Sequence, residues 1–167
     1  MKVYQTSDIR NITLLGGAGT GKTTLVEAML FESGAIKRRG TVDGKNTVSD
    51  YFPVEQEYGY SVFPTIITTE WANKKINIID CPGADDFIGG AISSLTVTDQ
   101  AVILVNAQYG VEVGTQNQFR YAVLPVKKDL ARRIQAVGDF VGICWHRCQK
   151  TALQQLVQVL RQALVGL

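Results

Sequence analysis

Eight consecutive residues, Gly16-Gly17-Ala18-Gly19-Thr20-Gly21-Lys22-Thr23, constrain this chain more than anything else in it. A glycine, four residues, then Gly-Lys-Thr demands a backbone that turns sharply and then enters a helix. The flanks meet that demand. Ile9 to Leu15 holds Ile12, Leu14 and Leu15 and reads as a buried strand. Thr24 to Ser33 carries Leu25, Ala28, Met29 and Phe31 at helical spacing. Strand, glycine-rich loop and helix in this order make a cradle for an anion. Glycines admit positive φ and close backbone approach, so the amides of Gly19 to Thr24 can converge at the positive end of the helix. Lys22 supplies a point charge for outer phosphates, and the Thr23 hydroxyl is placed to ligate Mg²⁺.

A second acidic element follows from the strand pattern. Ser61 to Trp71 is β-rich, Ala72-Asn73-Lys74 reads as a turn, and Lys75 to Asp80 carries Ile76, Ile78 and Ile79. Two strands joined so closely should pair antiparallel. The second ends in Asp80-Cys81-Pro82-Gly83, a carboxylate at the end of a buried strand followed by a turn that frees a backbone amide. Beside a phosphate loop, such a carboxylate holds Mg²⁺ directly or indirectly, and the Gly83 amide can meet a terminal phosphate.

The remaining chain supplies the frame. Gly34 to Tyr60 is a long polar tract that reads as a functional or mobile loop. Within it, Lys37-Arg38-Arg39 is either a solvated patch or a contact for a partner's phosphates. Phe87 to Leu95 predicts a helix. Ala101-Val102-Ile103-Leu104-Val105 is an unbroken apolar run suited to a central parallel strand. Thr115 is placed to cap a helix through Gln118, Phe119 and Ala122. Asp129 to Val137 reads as a basic helix, Phe140 to Trp145 as a last strand, and Thr151 to Val165 as an amphipathic closing helix. The alternation predicts a doubly wound α/β domain with a mostly parallel sheet and one antiparallel hairpin strand.

Bulk properties limit the rest. The 167 residues suit one domain, and 46% hydrophobic residues suffice for a core. A net charge of +2 gives no strong attraction to nucleic acid or membrane, so no direct DNA binding is expected. No apolar run is long enough to span a bilayer, and Met1 to Asp8 lacks the apolar stretch of a secretory signal. Cys81, Cys144 and Cys148 lack metal-ligand spacing, so reduced thiols in a cytoplasmic protein are expected; the single His146 has no evident catalytic partner and reads as a surface or base-edge residue near a bound nucleotide.

Over nearly all of its first 122 residues the chain resembles the G domain of elongation factor G, the ribosome translocase, and the elongation factor G-like proteins in particular. The likeness rests on the phosphate loop with Lys22 to Leu30, on Arg39-Gly40-Thr41-Val42, on Asp50 to Val62, on Asp80-Cys81-Pro82-Gly83-Ala84, and on Gln108 to Gln116. In the first switch the family has Arg-Gly-Ile-Thr where this chain has Tyr58-Gly59-Tyr60-Ser61, so Ser61 stands for the threonine that closes over Mg²⁺. The family's water-positioning histidine is replaced by Ala84. The base-reading Asn-Lys-x-Asp has no counterpart. Val126-Lys127-Lys128-Asp129 keeps only Lys-x-Asp, and a piece is missing between about 122 and 129.

The resemblance implies a GTP-binding domain that takes GTP or GDP with Mg²⁺, acts with the ribosome in translation elongation, and hydrolyses GTP to GDP and phosphate. The implied nucleotide-binding residues are Gly16, Gly17, Ala18, Gly19, Thr20, Gly21, Lys22, Thr23, Thr24, Ser61, Asp80 and Gly83. Thr23, Ser61 and Asp80 would hold the metal, and Lys22, supported by Gly83, would serve catalysis. The alternative implied by Ala84 is a nucleotide-dependent switch or scaffold with little or no hydrolysis.

Overall fold

The apolar run before the glycines forms strand β1 (Ile9–Leu15) at the centre of a computed structural model that describes residues 3–106 and 108–123. It shares a four-stranded sheet with β2 (Thr65–Trp71), β3 (Lys74–Asp80) and β4 (Gln100–Ile103), in the order β2-β3-β1-β4. β1 runs parallel to β3 and to β4, and β2 pairs antiparallel with β3, as the sequence predicts. Ala72 and Asn73 join β2 to β3 with φ of 47° and 62°, the left-handed pair whose twist matches a two-residue hairpin.

Side-chain alternation divides the sheet into two packed faces. Ile12 and Leu14 of β1, Ile76 and Ile78 of β3 and Val102 of β4 meet Leu25, Val26, Met29 and Leu30 of helix α1 (Lys22–Glu32). On the opposite face, Leu15, Ile79 and Ala101 pack with Ala91 and Leu95 of α3 (Ile88–Val97) and with Ala122 of α4 (Val113–Val123). Helices on both faces of a mostly parallel sheet make the expected doubly wound arrangement. The phosphate loop leaves the carboxyl end of β1, beside the carboxyl end of β3, where such sheets place their ligands.

Several boundaries differ from the sequence expectation for identifiable reasons. The tract from Gly34 to Tyr60 is not wholly irregular. Pro53 opens a short helix, α2 (Pro53–Tyr58), which Gly59 ends in a left-handed conformation at φ 73°. The strand expected from Ser61 starts only at Thr65, because the Val62 and Phe63 amides donate to Glu55 instead of to a strand neighbour. α1 begins at Lys22 rather than Thr24, and α3 runs from Ile88 to Val97 rather than from Phe87 to Leu95. β4 spans Gln100–Ile103, so Leu104 and Val105 are buried past the strand's end. Thr115 does not cap α4. The helix starts two residues earlier, and the Thr115 hydroxyl is buried with no hydrogen-bond partner among the described residues. The helix at Asp129–Val137, the strand at Phe140–Trp145, the closing helix at Thr151–Val165, and Cys144, His146, Cys148 and Asp129 lie outside the described residues.

Candidate nucleotide-binding site

Gly16 begins the loop under a constraint that only glycine meets. Its φ is 137°, and a Cβ there would lie 2.3 Å from the Leu104 carbonyl oxygen. The chain then folds back on itself. The Thr20 hydroxyl donates to the Gly17 carbonyl at 2.9 Å, and the Lys22 ammonium donates to the Gly16 and Gly17 carbonyls at 2.9 Å each. Gly21, in the left-handed region at φ 89°, precedes α1 with no side chain to cap it. The first amides of a helix have no carbonyl one turn earlier to bond, so this terminus offers donors and positive potential to an anion.

A cleft of about 520 Å³ opens over that terminus. Ala18, Gly19, Thr20, Gly21, Lys22, Thr23, Thr24, Ser61 and Gly83 line it. Of the residues implied from sequence, Gly16, Gly17 and Asp80 do not line it. Gly16 and Gly17 lie beneath, spending their carbonyls on Lys22, and Asp80 stands behind Thr23. The other lining residues, Thr41, Val42, Asp43, Asp50, Gly59, Tyr60, Ala84, Asn106, Gln108 and Tyr109, are ones the sequence reading did not assign to the site.

The polar chain through the cleft is continuous. The Thr23 hydroxyl donates to Asp80 Oδ2 at 2.8 Å and lies 3.3 Å from the Ser61 hydroxyl, which donates to Asp50 Oδ1 at 2.7 Å. Thr23, Ser61 and Asp80, singled out from sequence, therefore stand together, with Asp50 as an unforeseen fourth member. Among the described residues, Asp80 Oδ1 and the Ser49 hydroxyl are buried without a hydrogen bond of ordinary geometry, although Ser49 stands near enough to favour the Asp80 carboxylate. A buried oxygen acceptor left open beside two hydroxyls and a second carboxylate suits a hard divalent cation, which takes oxygen ligands. Burial pushes the Asp80 carboxyl up to about 6, against the opposing pull of the Thr23 hydrogen bond and the Lys22 charge. Burial likewise raises Asp50, with the Ser61 hydrogen bond opposing, and lowers Lys22, with Asp80 opposing.

Two further carboxylates shape the wall that carries Ser61. Glu27 lies on α1 one turn beyond Thr23 and is 1% exposed. Its Oε2 accepts the Gly40 amide at 2.7 Å and its Oε1 the Val48 amide at 2.5 Å. Glu55, also 1% exposed, accepts the Val62 and Phe63 amides at 3.0 Å each and the Phe52 amide at 3.3 Å. Buried carboxylates without partners would cost several kcal/mol each, so these amides are what make the two glutamates tolerable. The amides in turn are tied down by them. For Glu27 the sequence signal is an acidic residue between Leu25-Val26 and Ala28-Met29-Leu30, whereas Glu55, among Gln56 and Glu57, gives none.

Gly83 reaches the loop from the other side. A Cβ on it would sit 2.5 Å from Lys22 Nζ, 2.6 Å from the Gly17 carbonyl oxygen and 2.7 Å from the Ala18 nitrogen. The turn after Asp80 therefore rests directly on the phosphate loop, at the position the sequence assigns to a terminal-phosphate contact.

The profile described as the elongation factor Tu GTP binding domain matches residues 7–128. The chain belongs to the elongation factor Tu GTP-binding domain family. Among curated relatives, the mitochondrial ribosome-releasing factor 2 of Candida dubliniensis is 45% identical over 116 residues, 70% of this chain and 14% of that protein. Tetracycline resistance protein TetM from transposon Tn1545 of Enterococcus faecalis is 40% identical over 111 residues, 66% of this chain and 17% of that protein. The chain thus spans about one sixth or less of the length of these relatives. A crystal structure of a protein from Thermus thermophilus superposes with a TM-score of 0.67 at 36% identity, covering 70% of this chain and 18% of that one. The GTPase-like domain of S. cerevisiae Ski7, solved bound to GTP, shares the fold at 20% identity with a TM-score of 0.51, covering 60% of this chain and 26% of that one. The family and its relatives make this a guanine-nucleotide-binding domain of the translational GTPase kind, as the motifs implied. No helix among the described residues is long and apolar enough to cross a membrane.

Proposed function

We propose that this domain binds GTP and GDP with Mg²⁺ in the cleft above α1 and, as part of an elongation factor G-like protein, couples the terminal phosphate to the ribosome in the cytoplasm. The observation that carries the reading is the convergence of Lys22, the open end of α1, Ser61 and Gly83 on one cleft. Lys22 exchanges the Gly16 and Gly17 carbonyls for phosphate oxygens. The amides of Gly19 to Thr24 orient the phosphates, and the Gly83 amide meets the terminal one. Thr23, Ser61 and Asp80 would hold Mg²⁺, which supplies charge neutralisation on the phosphates when bound. Release of the terminal phosphate frees Ser61 and Gly83, and the segments that carry them shift. The domain is read as a single unit over residues 1–167 that lacks the base-reading segment between about 122 and 129.

Hydrolysis by these residues rests on positioning and on Lys22 stabilising developing charge. Ala84, which lines the cleft directly after Gly83, favours a second reading, a switch with little turnover. An alanine side chain neither orients water nor carries charge. Calorimetric titration with GDP and Mg²⁺ tests binding: micromolar affinity that Lys22→Ala abolishes is expected, and a folded chain giving no heat overturns it. Single-turnover hydrolysis with and without ribosomes separates the two readings. Intact GTP under both conditions, restored to turnover by Ala84→His, establishes the switch.

A further inference from the structure

α4 buries a polar residue in the middle of its packed face. Thr115, Gln118 and Ala122 are 3%, 1% and 2% exposed, and their spacing of three and four places them along one side of the helix. An uncharged amide on such a face is costly unless both of its ends find partners. Gln118 finds them on two separate pieces of the phosphate site. Its Oε1 accepts the Gly16 amide at 2.5 Å, and its Nε2 reaches toward the Pro82 carbonyl oxygen at 3.5 Å. The Gly16 amide can only donate, so the side-chain oxygen must face it and the NH₂ must face Pro82. Gly16 opens the phosphate loop. Pro82 immediately precedes Gly83, which rests on Gly17 and Ala18. One turn nearer the helix start, Gly114 sits where a Cβ would be only 3.7 Å from the Gly17 Cα. α4 is therefore bonded to the loop through Gln118 and passes close to it at Gly114.

We infer that Gln118 is a positioning residue that spans the phosphate loop and the Pro82-Gly83 turn, fixing how far the Gly83 amide stands from the terminal phosphate. The inference rests on the reading of the cleft as the nucleotide site and adds a specific device to it. One side chain on a rigid helix sets the spacing between the element that holds the inner phosphates and the element that senses the outer one. GDP needs only the first element. GTP needs both, at the right separation. Loss of the brace therefore weakens the triphosphate more than the diphosphate, whereas a merely structural defect weakens both alike.

The experiment measures affinities of the 167-residue chain for fluorescent GDP and for a fluorescent non-hydrolysable GTP analogue in Mg²⁺, with thermal unfolding recorded in parallel. Gln118→Met removes both contacts and is expected to lower the analogue's affinity roughly ten-fold more than that of GDP. Gln118→Glu, assayed well above neutral pH so that even a buried carboxyl is ionised, keeps an acceptor for the Gly16 amide and loses the donor toward Pro82. It is expected to leave GDP affinity nearly unchanged while lowering the analogue's affinity roughly ten-fold, and it carries the test should the methionine variant not fold. Equal losses for both nucleotides in these variants, or no loss for either, overturn the brace while leaving the nucleotide site standing. Failure of the unsubstituted chain to bind either nucleotide overturns both.

Discussion

Gly83→Ala isolates the contact between the Asp80–Gly83 turn and the phosphate loop. Gly83 is not among the residues with positive φ, so alanine meets no backbone strain there and the effect is purely one of space. The added methyl would lie 2.5 Å from Lys22 Nζ, 2.6 Å from the Gly17 carbonyl oxygen and 2.7 Å from the Ala18 nitrogen. The lysine end can swing aside, but the other two atoms are backbone. Relief therefore comes from lifting the turn. To bring the carbonyl contact out to an ordinary separation, residue 83 must move by about 0.8 Å. The amide of residue 83 moves with it, so a hydrogen bond of about 2.9 Å to the terminal phosphate stretches to about 3.7 Å and ceases to be one. A hydrogen bond to a charged oxygen contributes about 1.5–3 kcal/mol, so affinity for a GTP analogue should fall roughly ten- to a hundred-fold. GDP affinity should change by less than about three-fold, since GDP lacks the phosphate in question. Crowding that is not relieved would appear as about 1–3 kcal/mol of lost stability. Stopped-flow binding of both nucleotides, with urea unfolding of the nucleotide-free chain, reads all three quantities. Equal loss for GDP and the GTP analogue at unchanged stability would refute the assignment of Gly83 to the terminal phosphate.

Three other perturbations follow from the same geometry. Glu27→Gln leaves one of the Gly40 and Val48 amides facing an NH₂ group, costing about 2 kcal/mol or more locally, so those two amides should exchange with solvent roughly thirty-fold faster; unchanged protection by hydrogen exchange would mean the carboxylate does not hold that segment. Burial raises Asp80 from 3.8 in the unfolded chain to about 6 in the fold, so the folded state binds the proton more tightly and the nucleotide-free domain should lose stability as pH rises from about 4 to about 6. The upper bound on that loss is about 3 kcal/mol, and urea midpoints of Asp80→Asn should lack this part of the pH dependence, whereas parallel profiles would contradict it. Burial also pushes the Cys81 thiol up to about 11, so peptide mapping after alkylation near neutral pH should find Cys81 unmodified in the folded chain and modified after denaturation.

What the sequence discloses and what it hides divide along a physical line. The phosphate loop, the β2–β3 hairpin and the alternation that splits the sheet faces depend on neighbours a few residues apart, so spacing alone exposes them. Glu27, Glu55 and Gln118 are different. Glu27 meets amides 13 and 21 residues downstream, and Gln118 meets an amide 102 residues upstream. In a linear reading each passes for an ordinary solvent-facing residue on a helix. The same cause displaced two boundaries. Ser61 to Phe63 carry strand-forming residues, yet Glu55 claims two of their amides and the strand waits until Thr65. Thr115 has the residue type of a cap, yet the helix has already begun at Val113 and the hydroxyl is buried in its face. Even so, a local trace of the hidden partners exists. Thr115, Gln118 and Ala122 repeat at the spacing of a buried face, and Glu27 stands among Leu25, Val26, Ala28, Met29 and Leu30, which leave α1 little solvent-facing side. A long polar side chain at a position whose period says buried must have a partner elsewhere in the chain. Among the described residues three buried polar side chains lead to segments that border the nucleotide cleft: Glu27 to Gly40 and Val48, Glu55 to the amides after Ser61, and Gln118 to Gly16. The misfit between polarity and periodicity therefore marks the supports of the site, just as the glycines mark its floor.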